Sequence, residues 1–73
     1  MVLPFAPSVH YTMAAWGAVL LGDAERCERG LTLAREHLLA HGPASSITFA
    51  VEEERAVDRT WLALHGAPRP GAP

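Results

Sequence analysis

Residues 13–41 read MAAWGAVLLGDAERCERGLTLAREHLLAH, and this stretch decides the fold. Gly22 interrupts the apolar run, and glycine ends helices because it enters the left-handed conformation without a Cβ clash. Asp23 follows, and its carboxylate accepts hydrogen bonds from the free N–H groups that open a second helix. The sequence therefore predicts two helices joined by almost no loop, which is an antiparallel helical hairpin.

The hairpin is extended by a third helix and by two irregular ends. Helices are predicted over about residues 8–21, 24–41 and 46–65. Ser8 is the expected N-cap of the first helix, Gly42-Pro43 ends the second, and Ser45 or Ser46 caps the third. Prolines make residues 1–7 an extended N-terminal arm. Residues 67–73 (APRPGAP), the tail, are expected to be extended and mobile unless something holds them.

Apolar periodicity predicts how these helices pack. The second helix carries apolar and small residues in steps of three and four, at Ala24, Cys27, Leu31, Ala34, Leu38 and His41. The stripe of the third helix is Ile47, Ala50, Val57, Trp61 and Leu64. Glu54 interrupts that stripe, so we expect it to pair with an arginine or with a partner. The predicted fold is a single all-α three-helix domain, built on the antiparallel hairpin.

Composition excludes several classes of function. A net charge of −2 over 73 residues gives no electrostatic case for nucleic-acid binding. The longest apolar run, residues 13–22, is about half a membrane span, so no membrane partner is expected. Cys27 is the only cysteine, and no basic leader precedes it, which favours a reducing, cytoplasmic setting. Lys, Asn and Gln are absent, a composition typical of a GC-rich bacterial genome.

No catalytic constellation is apparent, so the chain is not expected to be an enzyme or to need a cofactor. Cys27 belongs to the row of apolar and small residues on the second helix, which is expected to be buried. A buried thiol behaves as a small hydrophobe. His37 and His41 are i,i+4 on one helix, and His10 is expected near the same end of the hairpin. Three imidazoles there would make a metal site, although capping and solvation also explain these histidines.

The run LLGDAERCERGLTLA (residues 20–34) resembles the middle of a tetratricopeptide repeat. In that repeat a Gly-Asp or Gly-Asn turn is followed by small and large apolar positions, matched here by Gly22, Cys27, Leu31 and Ala34, while Ala15 fits the small position of the first helix. The chain departs from the pattern at Tyr11, Ala18 and Pro43. The resemblance covers about half of the chain, and it implies a single helical hairpin that binds another protein.

Two functional hypotheses follow. In the first, the chain is a non-catalytic protein–protein interaction module or small accessory subunit. It forms a homodimer or a tight heteromer through its first and third helices, because apolar residues exceed what one small core can bury. The predicted partner-binding residues are Phe5, Trp16, Phe49, Trp61 and Leu62. In the alternative, the chain is a small regulatory protein that holds a metal or ligand at His10, His37 and His41.

Overall fold

The computed structural model describes residues 6–72, with the backbone alone for Ala6. Its helices are α1 (Ala6–Leu21), α2 (Ala24–His41) and α3 (Ser46–His65). The predicted all-α three-helix fold is confirmed. Helix α1 begins at Ala6 rather than at Ser8, so part of the predicted arm is helical, and residues 1–5, including Phe5, lie outside the described range.

The Gly22-Asp23 turn has the predicted chemistry. Gly22 has φ of 71°, in the left-handed region. The N–H of Gly22 donates to Val19 O at 3.2 Å, and the N–H of Asp23 donates to Ala18 O at 2.9 Å. This pair of bonds is the Schellman arrangement, which satisfies the last carbonyls of α1. The Asp23 carboxylate then accepts from the N–H of Arg26 at 3.1 Å and caps α2.

Two of the predicted caps differ in the structure. Ser8 is inside α1 and buried, so its hydroxyl is used in a side-chain contact instead of a cap. Ser45 is the N-cap residue of α3, but its side chain makes no capping hydrogen bond. Gly42 ends α2 in an extended conformation, which suits a residue that precedes Pro43.

The core lies at the end of the bundle that holds the Gly22-Asp23 turn. All three helices contribute to it: Ala15, Ala18 and Val19 come from α1, Cys27 and Leu31 from α2, and Val57 and Trp61 from α3. Small side chains let α1 and α2 approach closely. An ideal Cβ on Gly30 would lie 2.8 Å from the carbonyl oxygen of Tyr11 and 3.0 Å from Ala15.

Other predicted core positions are exposed. The third-helix stripe is buried only at Val57 and Trp61, whereas Ile47 and Leu64 face solvent. His41, predicted on the seam of α2, is also exposed. The core takes only Val57 and Trp61 from α3, so the two ends of the predicted stripe lie outside it.

Polar side chains hold α3 against α1. The indole N–H of Trp16 donates to Glu53 Oε2 at 3.1 Å. Nε2 of His65 lies 2.7 Å from Val19 O. Because a carbonyl oxygen only accepts, this contact places the imidazole proton on Nε2. The two bonds fix α3 near the C-terminal half of α1.

Candidate functional site

A groove separates the N-terminal halves of α1 and α3. Its volume is about 420 Å³, within the range of small ligand and side-chain pockets. Apolar side chains from all three helices and the α2–α3 loop form most of its surface, with polar groups between them; the lining residues are Ser8, Val9, Thr12, Met13, Leu38, Pro43, Ser46, Phe49 and Glu53.

The groove leaves large apolar side chains in contact with water. Leu38 is buried, while Val9, Met13 and Phe49 are more than half exposed. Glu53 is held by its bond to Trp16, so its carboxylate is already engaged at the edge of the groove. The surface of the groove is therefore mostly apolar, with Glu53 as its charged group.

The predicted partner-binding residues fall in different environments. Phe49 lines the groove. Trp16 is half-buried, and it joins the groove only through its bond to Glu53. Leu62 is exposed elsewhere on α3. Trp61 is 5% exposed and belongs to the core, so its contacts are made within the chain. Sequence analysis did not identify Val9 and Met13 as groove residues. Helix α1 has no charged residue, so its sequence does not indicate which face is exposed to solvent.

The histidines make contacts within the bundle. Ser8 Oγ and His37 Nδ1 share a hydrogen bond of 2.5 Å, which joins the start of α1 to the end of α2. The ring centroids of His37 and His41 are 4.7 Å apart. Within residues 6–72, no three side chains of the His, Cys, Asp and Glu types are placed to hold a metal ion, so His10 does not complete a site with the other two.

An acidic cluster forms a second distinctive site. Glu28 of α2 and Glu54 and Asp58 of α3, together called the acidic notch, surround the guanidinium of Arg69 from the tail. Nε of Arg69 donates to Asp58 Oδ1 at 2.7 Å, and Nη1 donates to Glu28 Oε2 at 2.5 Å. The Arg69 side chain is 0% exposed. The tail is thus held at this residue.

The charge of Arg69 is stabilised in place. Burial alone would lower the pKa of Arg69, but the hydrogen bonds with Asp58 and Glu28 outweigh it and raise the pKa above the ordinary arginine value. The predicted pairing of Glu54 with an arginine is confirmed, because Arg35 Nη1 donates to Glu54 Oε2 at 3.2 Å. Sequence reasoning missed Arg69. The usable signal was the like-charged pair of Glu54 and Asp58 at i,i+4, whose repulsion a nearby cation relieves.

Cys27 of α2 belongs to the core and is fully buried. Desolvation raises the pKa of its thiol above the ordinary value of 9.0, although the charge of Arg69 opposes this rise. We expect a thiol reagent to react with Cys27 at least about a hundredfold more slowly in the folded protein than in denaturant, because the reactive thiolate is both disfavoured and shielded. A native rate within tenfold of the denatured rate would show that Cys27 is accessible.

The same shift makes stability depend on pH in the alkaline range. Because the folded-state pKa of Cys27 is above the unfolded-state pKa, the thiol keeps its proton in the folded protein at pH values where the unfolded chain loses it. Stability from this thiol is therefore complete below pH 9.0 and falls as pH rises through the folded pKa. Urea unfolding at pH 8 and pH 10 should show the loss, and Cys27→Ala should reduce it.

Comparison with protein-family profiles, curated proteins and solved structures finds no match for this chain. None of the helices within residues 6–72 combines the length and apolar character that crossing a bilayer requires.

Proposed function

We propose that the protein is a non-catalytic protein–protein interaction module, or a small accessory subunit, that receives apolar side chains of its partner in the groove between α1 and α3. The observation that carries this proposal is the exposure of Val9, Met13 and Phe49 around one apolar groove. Contiguous apolar surface of this kind marks interaction sites on small proteins.

Energetics supports the same conclusion. Each large apolar side chain left in water forgoes about 1.5–3 kcal/mol of burial, and a domain of this length rarely has more than about 3–5 kcal/mol of stability. Two or three groove side chains covered by a partner would therefore add stability comparable with that of the isolated fold. A partner bound here stabilises the bundle as well as being recognised by it.

The apolar groove suits either a second copy of the chain or a different protein. The resemblance of residues 20–34 to a tetratricopeptide repeat favours protein binding in general. A homodimer through α1 and α3 is the assembly that we expect first, because both walls of the groove belong to those helices. The buried free thiol of Cys27 suits a reducing cytoplasmic setting.

A matched pair of substitutions on α3 tests the proposal. Phe49 lines the groove and is 54% exposed, whereas Leu64 lies outside it and is 53% exposed. Phe49→Gln should weaken association at least about tenfold, since the apolar contact in the groove is lost. Leu64→Gln should leave association unchanged. Glutamine is used in both variants because it adds no charge.

Sedimentation at micromolar concentration measures the outcome for self-association. We expect a dimer for the parent protein and for Leu64→Gln, and a shift to monomer for Phe49→Gln. If the parent protein is a monomer, affinity capture with the same three proteins identifies partners that Phe49→Gln loses and Leu64→Gln keeps. A monomer whose captured proteins are identical for both variants would refute a binding role for the groove.

A further inference from the structure

We propose that the exposed face of α1 joins two copies of this chain, which pack with their α1 helices antiparallel about a two-fold axis near Gly17. Leu20 and Leu21 of each copy then lie at the groove of the other copy. The second copy is thus the occupant of the groove, so this contact deepens the proposed function and rests on it.

One side of α1 is exposed along most of its length and carries no charge. Its residues are spaced as one face of a helix, about 18 Å long, and they are Val9, His10, Met13, Ala14, Gly17, Leu20 and Leu21. Leu20 and Leu21 are each 73% exposed, and Met13 is 67% exposed. No other large apolar side chain that the structure describes is more exposed, so this face gains most from being covered.

Gly17 lies at the middle of the exposed face. A Cβ on Gly17 would meet no atom of residues 6–72 within 4 Å, and its neighbour Ala14 is also small and exposed. Met13 and Leu21 lie four residues before and after Gly17, so each is about 6 Å from it along the helix axis. The large side chains therefore flank a low centre, which a second helix can approach.

A two-fold axis at Gly17 matches these positions. Antiparallel packing of α1 on its own copy places Leu21 of the second copy opposite Met13, because both are about 6 Å from Gly17. Met13 lines the groove, so Leu21 and Leu20 of the second copy arrive there. The symmetry repeats this contact, and both grooves are filled in one dimer. Parallel packing would instead bring the two grooves together without filling them.

The distribution of charge suits a contact of this symmetry. Near a two-fold axis each residue faces its own copy, so a charged side chain there would meet the same charge. Residues 6–22 contain no Asp, Glu, Lys or Arg. Asp23 and His10 lie six and seven positions from Gly17 in opposite directions, so antiparallel packing brings each near the other in the second copy. A histidine N–H can donate to that carboxylate.

The exposed faces of α2 and α3 are charged, which singles out α1 as the contact helix. Leu39 is 62% exposed on α2, but the same helix carries many exposed charges. The exposed charged residues are Glu25, Arg26, Glu28, Arg29 and Glu36 on α2 and Glu52, Arg55 and Arg59 on α3. Covering those faces would remove charges from water, whereas covering the α1 face removes none.

Charge substitutions at Gly17 test the two-fold contact. Gly17→Glu and Gly17→Arg each place like charges together at the axis, so each variant should dimerise at least about tenfold more weakly than the parent protein. An equimolar mixture places opposite charges there, and it should form a heterodimer at least about tenfold more tightly than either variant associates alone. Sedimentation equilibrium measures the dissociation constants, and native mass spectrometry identifies the heterodimer. The open space at Gly17 admits both side chains in the folded monomer.

Leu39→Glu and Leu39→Arg are the control pair, because Leu39 is exposed on α2 and does not line the groove. Each should dimerise as the parent protein does, and mixing them should change nothing. Leu20→Gln gives a second measurement without a charge: it should weaken dimerisation at least about tenfold, whereas Leu39→Gln should not. Circular dichroism checks that each variant is folded. A Gly17 mixture that associates no better than its components would overturn the two-fold contact.

Failure of this contact is distinguishable from failure of the groove. If Phe49→Gln weakens association while the Gly17 mixture shows no recovery, the two-fold contact is wrong and the groove keeps its binding role. A parent protein that stays monomeric also overturns the two-fold contact, while capture of a protein that Phe49→Gln loses would still support the groove.

Discussion

Trp61→Ala is expected to unfold most of the protein at room temperature. Trp61 is 5% exposed and is the largest side chain in a core otherwise made mainly of alanine, valine and cysteine. Removing a buried tryptophan side chain costs about 3–5 kcal/mol, because the transferred surface is lost and a cavity remains. That cost equals the whole stability that a domain of this length usually has.

Circular dichroism during thermal unfolding measures this effect, and Trp16 remains as a fluorescent reporter. Leu62→Ala is the matched control, since Leu62 follows Trp61 in α3 but is exposed, and it should change stability by less than about 0.5 kcal/mol. A Trp61→Ala protein that melts within a few degrees of the parent would remove Trp61 from the core. Loss of binding in this variant would report unfolding, whereas loss in Phe49→Gln reports the groove.

The ends of the helices were predictable because they depend on neighbouring residues alone. Gly22 adopts the left-handed conformation and Asp23 caps α2, as their chemistry requires. Ser8 is the exception, because a hydrogen bond with His37 competes with capping and the helix begins earlier. Local sequence cannot reveal that competition, since it depends on how α1 and α2 are aligned.

The buried face of α1 was not predictable from its sequence. This helix has no charged residue, so hydrophobicity does not mark one side of it. Burial depends on the facing helix, where Cys27 and Gly30 allow the two backbones to approach closely. Ala15, Ala18 and Val19 are therefore buried, while Val9 and Met13 remain outside and form one wall of the groove.

The acidic notch shows the limit of sequence reasoning most clearly. Arg69 and Glu28 are 41 positions apart, and no periodic pattern relates a proline-rich tail to a helix. The sequence predicted that Glu54 pairs with an arginine or with a partner, and several arginines were available. Only the packing of α3 against α2 brings Glu28 to Glu54 and Asp58, and that packing determines where the tail is held.

Gly30→Ala and Gly17→Ala should change stability in opposite directions. Both glycines are inside helices, where alanine is intrinsically favoured by about 0.5–1 kcal/mol. A Cβ on Gly17 meets nothing within 4 Å, so Gly17→Ala should stabilise the protein by about that amount. A Cβ on Gly30 would lie 2.8 Å from the backbone oxygen of Tyr11 and 3.0 Å from Ala15.

Backbone atoms cannot move aside as a flexible side chain does, so Gly30→Ala must push α1 and α2 apart along their contact. Overpacking of this kind costs about 1–3 kcal/mol, which exceeds the gain in helix propensity. Urea unfolding of the two variants and the parent protein measures both effects under one condition. If Gly30→Ala were as stabilising as Gly17→Ala, the hairpin would be more widely spaced than the structure shows. In that case the close approach of the two backbones would no longer explain why the residues between α1 and α2 are small.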